Sequence, residues 1–180
     1  RSLIIVVGQT ALAAAPKFFD HETVVDTTIV HTSRWTRDGL RSWQDNSFAS
    51  PSMQCNLLEA SRGWPELVAS AIDNVTDGQS HSEELARLDQ FPADKATAER
   101  FLLSVGITEA GTRGLLRTWY EYTDDKYESV PEIAAVLDTD SADMYDLIEE
   151  FTARGAVDQV ADNYRVDKIV ARALTRLATA

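Results

Sequence analysis

The sequence has few cysteines and histidines and no long apolar run, and each of these absences excludes a class of protein. Its one cysteine, Cys55, cannot form an internal disulfide, and the three scattered histidines lack the spacing of a metal site. These counts exclude cysteine-rich zinc ribbons, and the single thiol fits a reducing cytoplasm, where we expect the protein to be located. No apolar run is long enough to span a bilayer, so we expect no membrane partner.

Basic residues are also scarce, which bears on the kind of partner. The chain has 17 Lys and Arg against 29 Asp and Glu, a formal charge of −12. Nucleic-acid binding needs clustered basic side chains, so nucleic acid is not the partner that this composition favours. Hydrophobic residues make up 44% of the 180 residues, enough for an ordinary globular core.

The chain opens on an apolar run with no initiator methionine. Residues 3–7 are continuous Leu, Ile and Val, a pattern typical of a strand buried on both faces of a parallel sheet. The run is too short for a signal-peptide core, and a single strand needs neighbours. We therefore expect the chain to begin inside a larger protein, its sheet either mostly missing or completed by a second predicted strand at 23–31. A short helix is predicted between them, at 11–19.

The centre of the chain is a predicted helix break at Arg62-Gly63, followed by a new helix from Pro65. Proline suits the first helical position because its missing N–H is not needed there. The new helix has apolar residues at helical spacing: Leu67, Val68, Ala71, Ile72 and Val75. Helices are also predicted at 36–45 and 52–60. Polar residues 77–82 form the clearest linker, which predicts two domains, 1–78 and 82–180.

The second domain has the element order of a winged helix. After a helix capped by Ser82, helices are predicted at 95–105 and 108–122. A helix capped by Ser129 then runs to residue 137, and a turn leads to a second helix at 141–153. Two short strands at 156–160 and 162–166 and a final helix at 168–178 complete the plan. The predicted fold class is mostly α (α+β): a helical lid with a remnant of an α/β sheet, followed by a winged helix-turn-helix domain.

Taken together, the chain resembles the C-terminal part of a AAA+ or STAND-type P-loop ATPase. Residues 3–7, followed by Gln9 and Thr10, resemble the late sheet strand that ends in a polar sensor of nucleotide. Gly63-Trp64-Pro65 is similar to the Gly-x-Pro motif of the lid, and residues 34–43 resemble the helix before it. A winged helix follows the lid in such proteins. Large ATPases of bacteriophage-exclusion systems have parts of this kind, which suggests phage resistance by analogy.

The resemblance implies a set of nucleotide-sensing residues. Gln9 or Thr10 would sense the nucleotide, Pro65 beside Gly63 would wall the base or ribose, and Arg62 would contact phosphate. The residues themselves leave simpler interpretations open: an ordinary strand-end glutamine, a solvated arginine, and a plain interhelical turn with Trp64 in the core.

The catalytic parts of such an ATPase are missing from the chain. There is no Gly-x-x-x-x-Gly-Lys-[Ser/Thr] phosphate loop and no strand ending in paired acidic residues that would hold Mg²⁺. The chain is therefore not expected to be an enzyme alone, and we assign it no catalytic, metal or DNA-binding residues. ATP or ADP with Mg²⁺ would bind the intact parent, and the missing ATPase core, on this polypeptide or another subunit, would be its first partner.

The predicted winged helix is acidic where a DNA reader would be basic. From Glu99 to Ala180 the sequence has 9 basic against 16 acidic residues. Recognition helices offer Arg, Lys, Asn or Gln to base edges. The second helix instead presents five carboxylates: Asp140, Asp143, Asp146, Glu149 and Glu150. We expect a regulatory fragment that senses nucleotide through the lid and docks a protein through the winged helix. The alternatives are a free-standing DNA-binding regulator and an acidic protein-interaction module.

Overall fold

A computed structural model describes residues 34–42 and 47–179 as a mostly helical structure with one small antiparallel sheet, which confirms the predicted mostly α class. The helices are α1 (Arg37–Ser42), α2 (Pro51–Ser61), α3 (Pro65–Thr76), α4 (His81–Asp89), α5 (Lys95–Ser104), α6 (Ala110–Thr123), α7 (Val130–Leu137), α8 (Ser141–Ala153) and α9 (Lys168–Ala178). The strands are β1 (Glu128–Ser129), β2 (Val157–Val160) and β3 (Asn163–Val166).

Several predictions fall outside the described residues. These are the strands at 3–7 and 23–31, the helix at 11–19, and the sensor candidates Gln9 and Thr10. The end of the predicted helix at 36–45 also falls there, since α1 is described only to Ser42. The predicted remnant of an α/β sheet therefore stays a prediction.

The helix starts follow from local capping chemistry that the sequence displays. Pro65 occupies the first position of α3, as predicted. Ser129 caps α7 in a capping box, in which the Glu132 carboxylate accepts from the Ser129 N–H at 2.9 Å. Asp140 caps α8 by accepting from the Ala142 N–H at 2.8 Å. Both α8 and α9 begin and end where the sequence pattern predicts.

Two local predictions need correction. Ser82 was expected to cap α4, but the cap is Ser80, because Glu83 stands three residues after it and completes a capping box. Ser82 lies inside the first turn. The sequence analysis also missed β1, whose two residues are too few to show an alternating pattern.

The sheet joins the start of α7 to the hairpin that follows α8. Its strand order is β1-β3-β2, and both pairs are antiparallel. Val157 pairs with Val166 and Val160 with Asn163, so the hairpin turns at Ala161-Asp162. Ala161 has a left-handed backbone (φ 52°) at this turn.

The buried apolar residues of the described chain form one cluster that extends from Leu40 to Leu174. The C-terminal helix α9 packs against α5 and α6, and its inner face is buried through Ile169, Val170, Ala173 and Leu174. The core therefore includes residues on both sides of the polar stretch 77–82, and the division into domains 1–78 and 82–180 stays a prediction. None of the described helices is long and apolar enough to cross a membrane.

Candidate functional site

The Gly63-Trp64-Pro65 segment is a tight reversal between α2 and α3. Arg62 (φ 54°) and Gly63 (φ 72°) adopt left-handed backbone conformations directly after α2. The Trp35 N–H donates to the Gly63 carbonyl at 2.7 Å, and a Cβ on Gly63 would lie 2.6 Å from the Trp35 carbonyl oxygen. Glycine is therefore required at position 63 both by backbone conformation and by space.

Trp64 is buried and connects this reversal to the start of α9. Its side chain packs edge-on against Phe101, with ring centroids 5.2 Å apart, and the Arg34 guanidinium stacks 4.7 Å from the Trp64 ring. The indole Nε1–H donates to Asp167 Oδ1 at 3.1 Å. Trp64 thus has the surroundings of a core residue, while Pro65 beside it is exposed.

Three arginines converge on two aspartates next to Trp64. We call Arg34, Arg62, Arg165, Asp158 and Asp167 the arginine clamp. Arg34 Nη1 donates to Asp158 Oδ1 at 2.9 Å and to Asp167 Oδ2 at 2.8 Å. Arg62 Nη2 donates to Asp158 Oδ2 at 2.9 Å, and Arg165 Nη2 reaches the same oxygen at 3.4 Å. Arg34 Nη2 also donates to the Gly155 carbonyl.

Asp167 holds the clamp at its most buried point. Its side chain is 0% exposed and accepts backbone hydrogen bonds from Ile169 at 2.9 Å and Val170 at 3.1 Å. It is therefore the N-cap of α9 as well as a partner of Arg34 and Trp64. One carboxylate joins the segment before α1, the Gly-Trp-Pro reversal and the last helix.

The charges of the clamp are balanced once its neighbour Asp125 is included. Asp125 accepts from Arg165 Nη1 at 3.3 Å, so three guanidinium groups face three carboxylates. Burial lowers the pKa of Arg62, but the hydrogen bond and negative charge of Asp158, with the charge of Asp167, raise that pKa above its usual value overall. Arg62 is therefore held as a cation by carboxylates of the chain itself, and its expected contact with phosphate stays a prediction.

An open cleft of about 750 Å³ lies beside the clamp. The start of α3, the second half of α8 and the hairpin form its walls. Its apolar lining includes Trp64, Pro65, Ile148 and Val157, and its aromatic edges are Tyr145 and Tyr164. Of the nucleotide-sensing candidates, the structure places Pro65 on the cleft wall and Arg62 and Gly63 directly before it in the chain.

The outer side of α8 is acidic and largely without partners. Asp143, Asp146 and Glu149 are exposed, and no ion pair joins them to any residue in 34–42 or 47–179. Glu150 is the exception, because Arg154 pairs with it and also donates to the Gly106 carbonyl at 2.7 Å. Tyr145 is 55% exposed beside these carboxylates.

The hairpin does not offset this acidity. Arg165, the basic residue predicted on the wing, stacks 4.4 Å from the Tyr127 ring and pairs with Asp125 and Asp158. Its side chain is only 16% exposed, so its charge is paired with these carboxylates and is not presented to solvent. A surface of this kind repels phosphate, and the expectation that nucleic acid is not the partner stays a prediction.

Sequence reasoning missed three of the five residues of the clamp. Arg34, Asp158 and Asp167 were not selected, and the clamp contacts span up to 133 residues of sequence. An Asp directly before a helical pattern was a usable signal for Asp167 as an N-cap. No local pattern marks Asp158, whose role depends on long-range packing alone.

Comparisons with known proteins leave the site to be interpreted from its geometry. No protein-family model, curated protein or solved structure matches the chain. Within the part of the chain that the structure describes, no group of three His, Cys, Asp or Glu side chains could hold a metal ion.

Proposed function

We propose that the chain is the lid and winged-helix part of a P-loop ATPase of the AAA+ or STAND type. In this proposal it senses bound nucleotide through the segment around Gly63-Trp64-Pro65 and docks a protein partner through the winged helix. Two features support it: the order of α7, α8 and the β2–β3 hairpin, and the antiparallel sheet that joins the hairpin to β1.

The arginine clamp is the observation that carries the proposal. It fixes the hairpin and the start of α9 to Arg34, Arg62 and Trp64 through hydrogen bonds of 2.8–3.1 Å. A displacement of the Gly-Trp-Pro reversal would therefore move the hairpin with it, since packed elements and paired charges shift together. Through these contacts, a movement of the lid would be transmitted to the docking surface of the winged helix.

The nucleotide itself would be held mainly by the ATPase core that this sequence lacks. The cleft beside Pro65 is lined by the carboxylates of Glu149 and Asp158 and by the guanidinium groups of Arg34 and Arg154, so its lining offers no excess of positive charge to a phosphate. In the parent, ATP or ADP with Mg²⁺ would supply the charge that the lid senses, with Gln9, Thr10, Arg62, Gly63 and Pro65 as the sensing residues. The chain alone is not proposed to hydrolyse ATP, and a cytoplasmic location stays a prediction.

The test is nucleotide affinity in the full-length parent protein. We expect Pro65→Ala and Arg62→Ala to weaken binding of a fluorescent ATP analogue. Pro51→Ala is the matched control, because Pro51 is also exposed at the first position of a helix but lies away from the cleft. Unchanged affinity in both Pro65→Ala and Arg62→Ala would refute the nucleotide-sensing role.

A further inference from the structure

The exposed side of α8 has a composition that calls for a partner of opposite charge. We define the α8 face as Asp143, Tyr145, Asp146, Glu149 and Glu150. Helical spacing places these side chains on the outer half of α8, opposite the buried Met144, Ile148 and Phe151. Only Glu150 has a basic partner among the described residues, where the three adjacent carboxylates of Asp143, Asp146 and Glu149 repel one another.

The chain does not contain the basic segment that would neutralise this face. Residues 1–33 include two basic residues, Arg1 and Lys17, against three acidic ones, Asp20, Glu22 and Asp26, and residues 43–46 add one more acid. A second copy is also unsuitable, because its formal charge is −12 as well. Neither residues 1–180 nor a second copy of them supplies such a segment, so a complementary occupant lies outside this sequence and must be basic.

The cleft next to the α8 face indicates that the partner also carries an apolar side chain. Tyr145 and Glu149 belong to the α8 face and also line the cleft, whose inner wall includes Ile148, Val157 and Trp64. A volume of about 750 Å³ accommodates apolar side chains of a docking segment. An exposed Tyr beside an apolar recess is typical of an anchor position in a protein interface.

We propose that the α8 face and the adjoining cleft bind a Lys- and Arg-rich segment of a partner protein. Its basic side chains pair with Asp143, Asp146 and Glu149, and one apolar or aromatic side chain enters the cleft beside Tyr145. The inference deepens the docking half of the proposed function and depends on that half alone, since no nucleotide takes part in the contact.

The test uses the full chain and a synthetic Arg- and Lys-rich peptide with one central Trp. NMR of the isotope-labelled chain should show shifts concentrated in α8 and the β2–β3 hairpin. The double variant Asp146→Lys/Glu149→Lys should weaken peptide affinity by about tenfold or more, because close charge pairs at interfaces contribute over 1.4 kcal/mol. Replacing the central Trp of the peptide by Ser should also weaken binding.

The matched control is the double variant Asp73→Lys/Asp77→Lys, which makes the same charge change at exposed positions at the end of α3. Equal weakening by the two double variants would overturn the proposal, since it would reveal general attraction to an acidic protein. Absence of binding, or shifts spread over the whole surface, would overturn it too. Binding of duplex DNA to the same face would also overturn the proposal, because the partner would then be a nucleic acid. None of these outcomes involves nucleotide, so the Pro65 experiment stands or fails separately.

Discussion

The arginine clamp and the α8 face both contain carboxylates, but those of the clamp are largely buried and paired with arginines, whereas those of the α8 face are exposed. In the clamp, Asp158 and Asp167 are 17% and 0% exposed at the side chain and meet guanidinium groups at 2.8–3.4 Å. On the α8 face, Asp143, Asp146 and Glu149 are exposed, with no ion pair to any residue of the described part of the chain. The two regions meet at the same cleft, where Glu149 and Asp158 both contribute to the lining.

The difference predicts opposite responses to substitution in the two regions. Removing one partner of a buried ion pair leaves an uncompensated charge, so changes in the clamp should reduce stability. Removing the carboxylate of Asp143, Asp146 or Glu149 breaks no ion pair to the described residues, so these changes on the α8 face should alter binding and leave stability nearly constant.

The largest effect is expected from Asp167→Ala. The variant loses the N-cap of α9, the acceptor of the Trp64 indole and a partner of Arg34 at once. Breaking a buried pair and a cap together should lower the free energy of unfolding by about 4 kcal/mol. Urea unfolding followed by circular dichroism measures the change.

Asp162→Ala is the control for this variant, because Asp162 is exposed at the hairpin turn. We expect it to change stability by less than about 0.5 kcal/mol. A loss below about 1 kcal/mol in Asp167→Ala would show that the clamp does not stabilise the fold and would remove the contrast with the α8 face.

Gly63→Ala should have the next largest effect, because it disturbs the backbone that presents Arg62 and Trp64 to the clamp. An added Cβ would lie 2.6 Å from the Trp35 carbonyl oxygen, at a residue with φ 72°. Backbone strain and the clash together should lower stability by about 2 kcal/mol or more. Thermal unfolding of the variant measures it, and a stability equal to wild type would show that the reversal is not held in this conformation.

Gly114→Ala should act in the opposite direction. Gly114 is exposed within α6, and nothing lies within 4 Å of a Cβ added there. Alanine is favoured over glycine inside a helix, so we expect a gain of about 0.5–1 kcal/mol. The same thermal measurement applies. A loss of stability at Gly114 would mean that the effect at Gly63 reports on glycine substitution in general.

On the α8 face, Glu149→Gln should raise stability slightly. Glu149 lies in the second half of α8, where the negative end of the helix dipole opposes a carboxylate, and Asp146 lies one turn away. Removing its charge should raise the free energy of unfolding by about 0.3 kcal/mol. Urea unfolding at low and high salt measures it, and a loss of more than about 1 kcal/mol would place Glu149 among the structural carboxylates.

Helix starts, caps and apolar faces could be predicted from the sequence, whereas contacts between residues far apart in the chain could not. The Pro65 start, the Ser129 cap and the extent of α8 and α9 were all predictable, because capping residues and apolar spacing act within a few positions. The acidity of α8 was also predictable, because acidic residues can be recognised in the sequence without knowledge of their contacts. The clamp was not predictable, because Asp158 meets Arg34 and Arg62 only after packing brings residues 96–124 positions apart together.

The capping carboxylates form an intermediate case, exposed like the α8 face but hydrogen-bonded like the clamp. The Ser129 hydroxyl and N–H donate to Glu132 and lower the pKa of its carboxyl below the usual 4.5. A lowered pKa in the folded state means that the stabilisation is present above about pH 4.5 and is lost as the pH falls through the folded-state pKa. Glu132→Gln should therefore be less stable than wild type at neutral pH, and the difference should shrink on acidification. Unfolding of both proteins at a series of pH values measures this, and a difference independent of pH would show that the charge of Glu132 does not contribute to the cap.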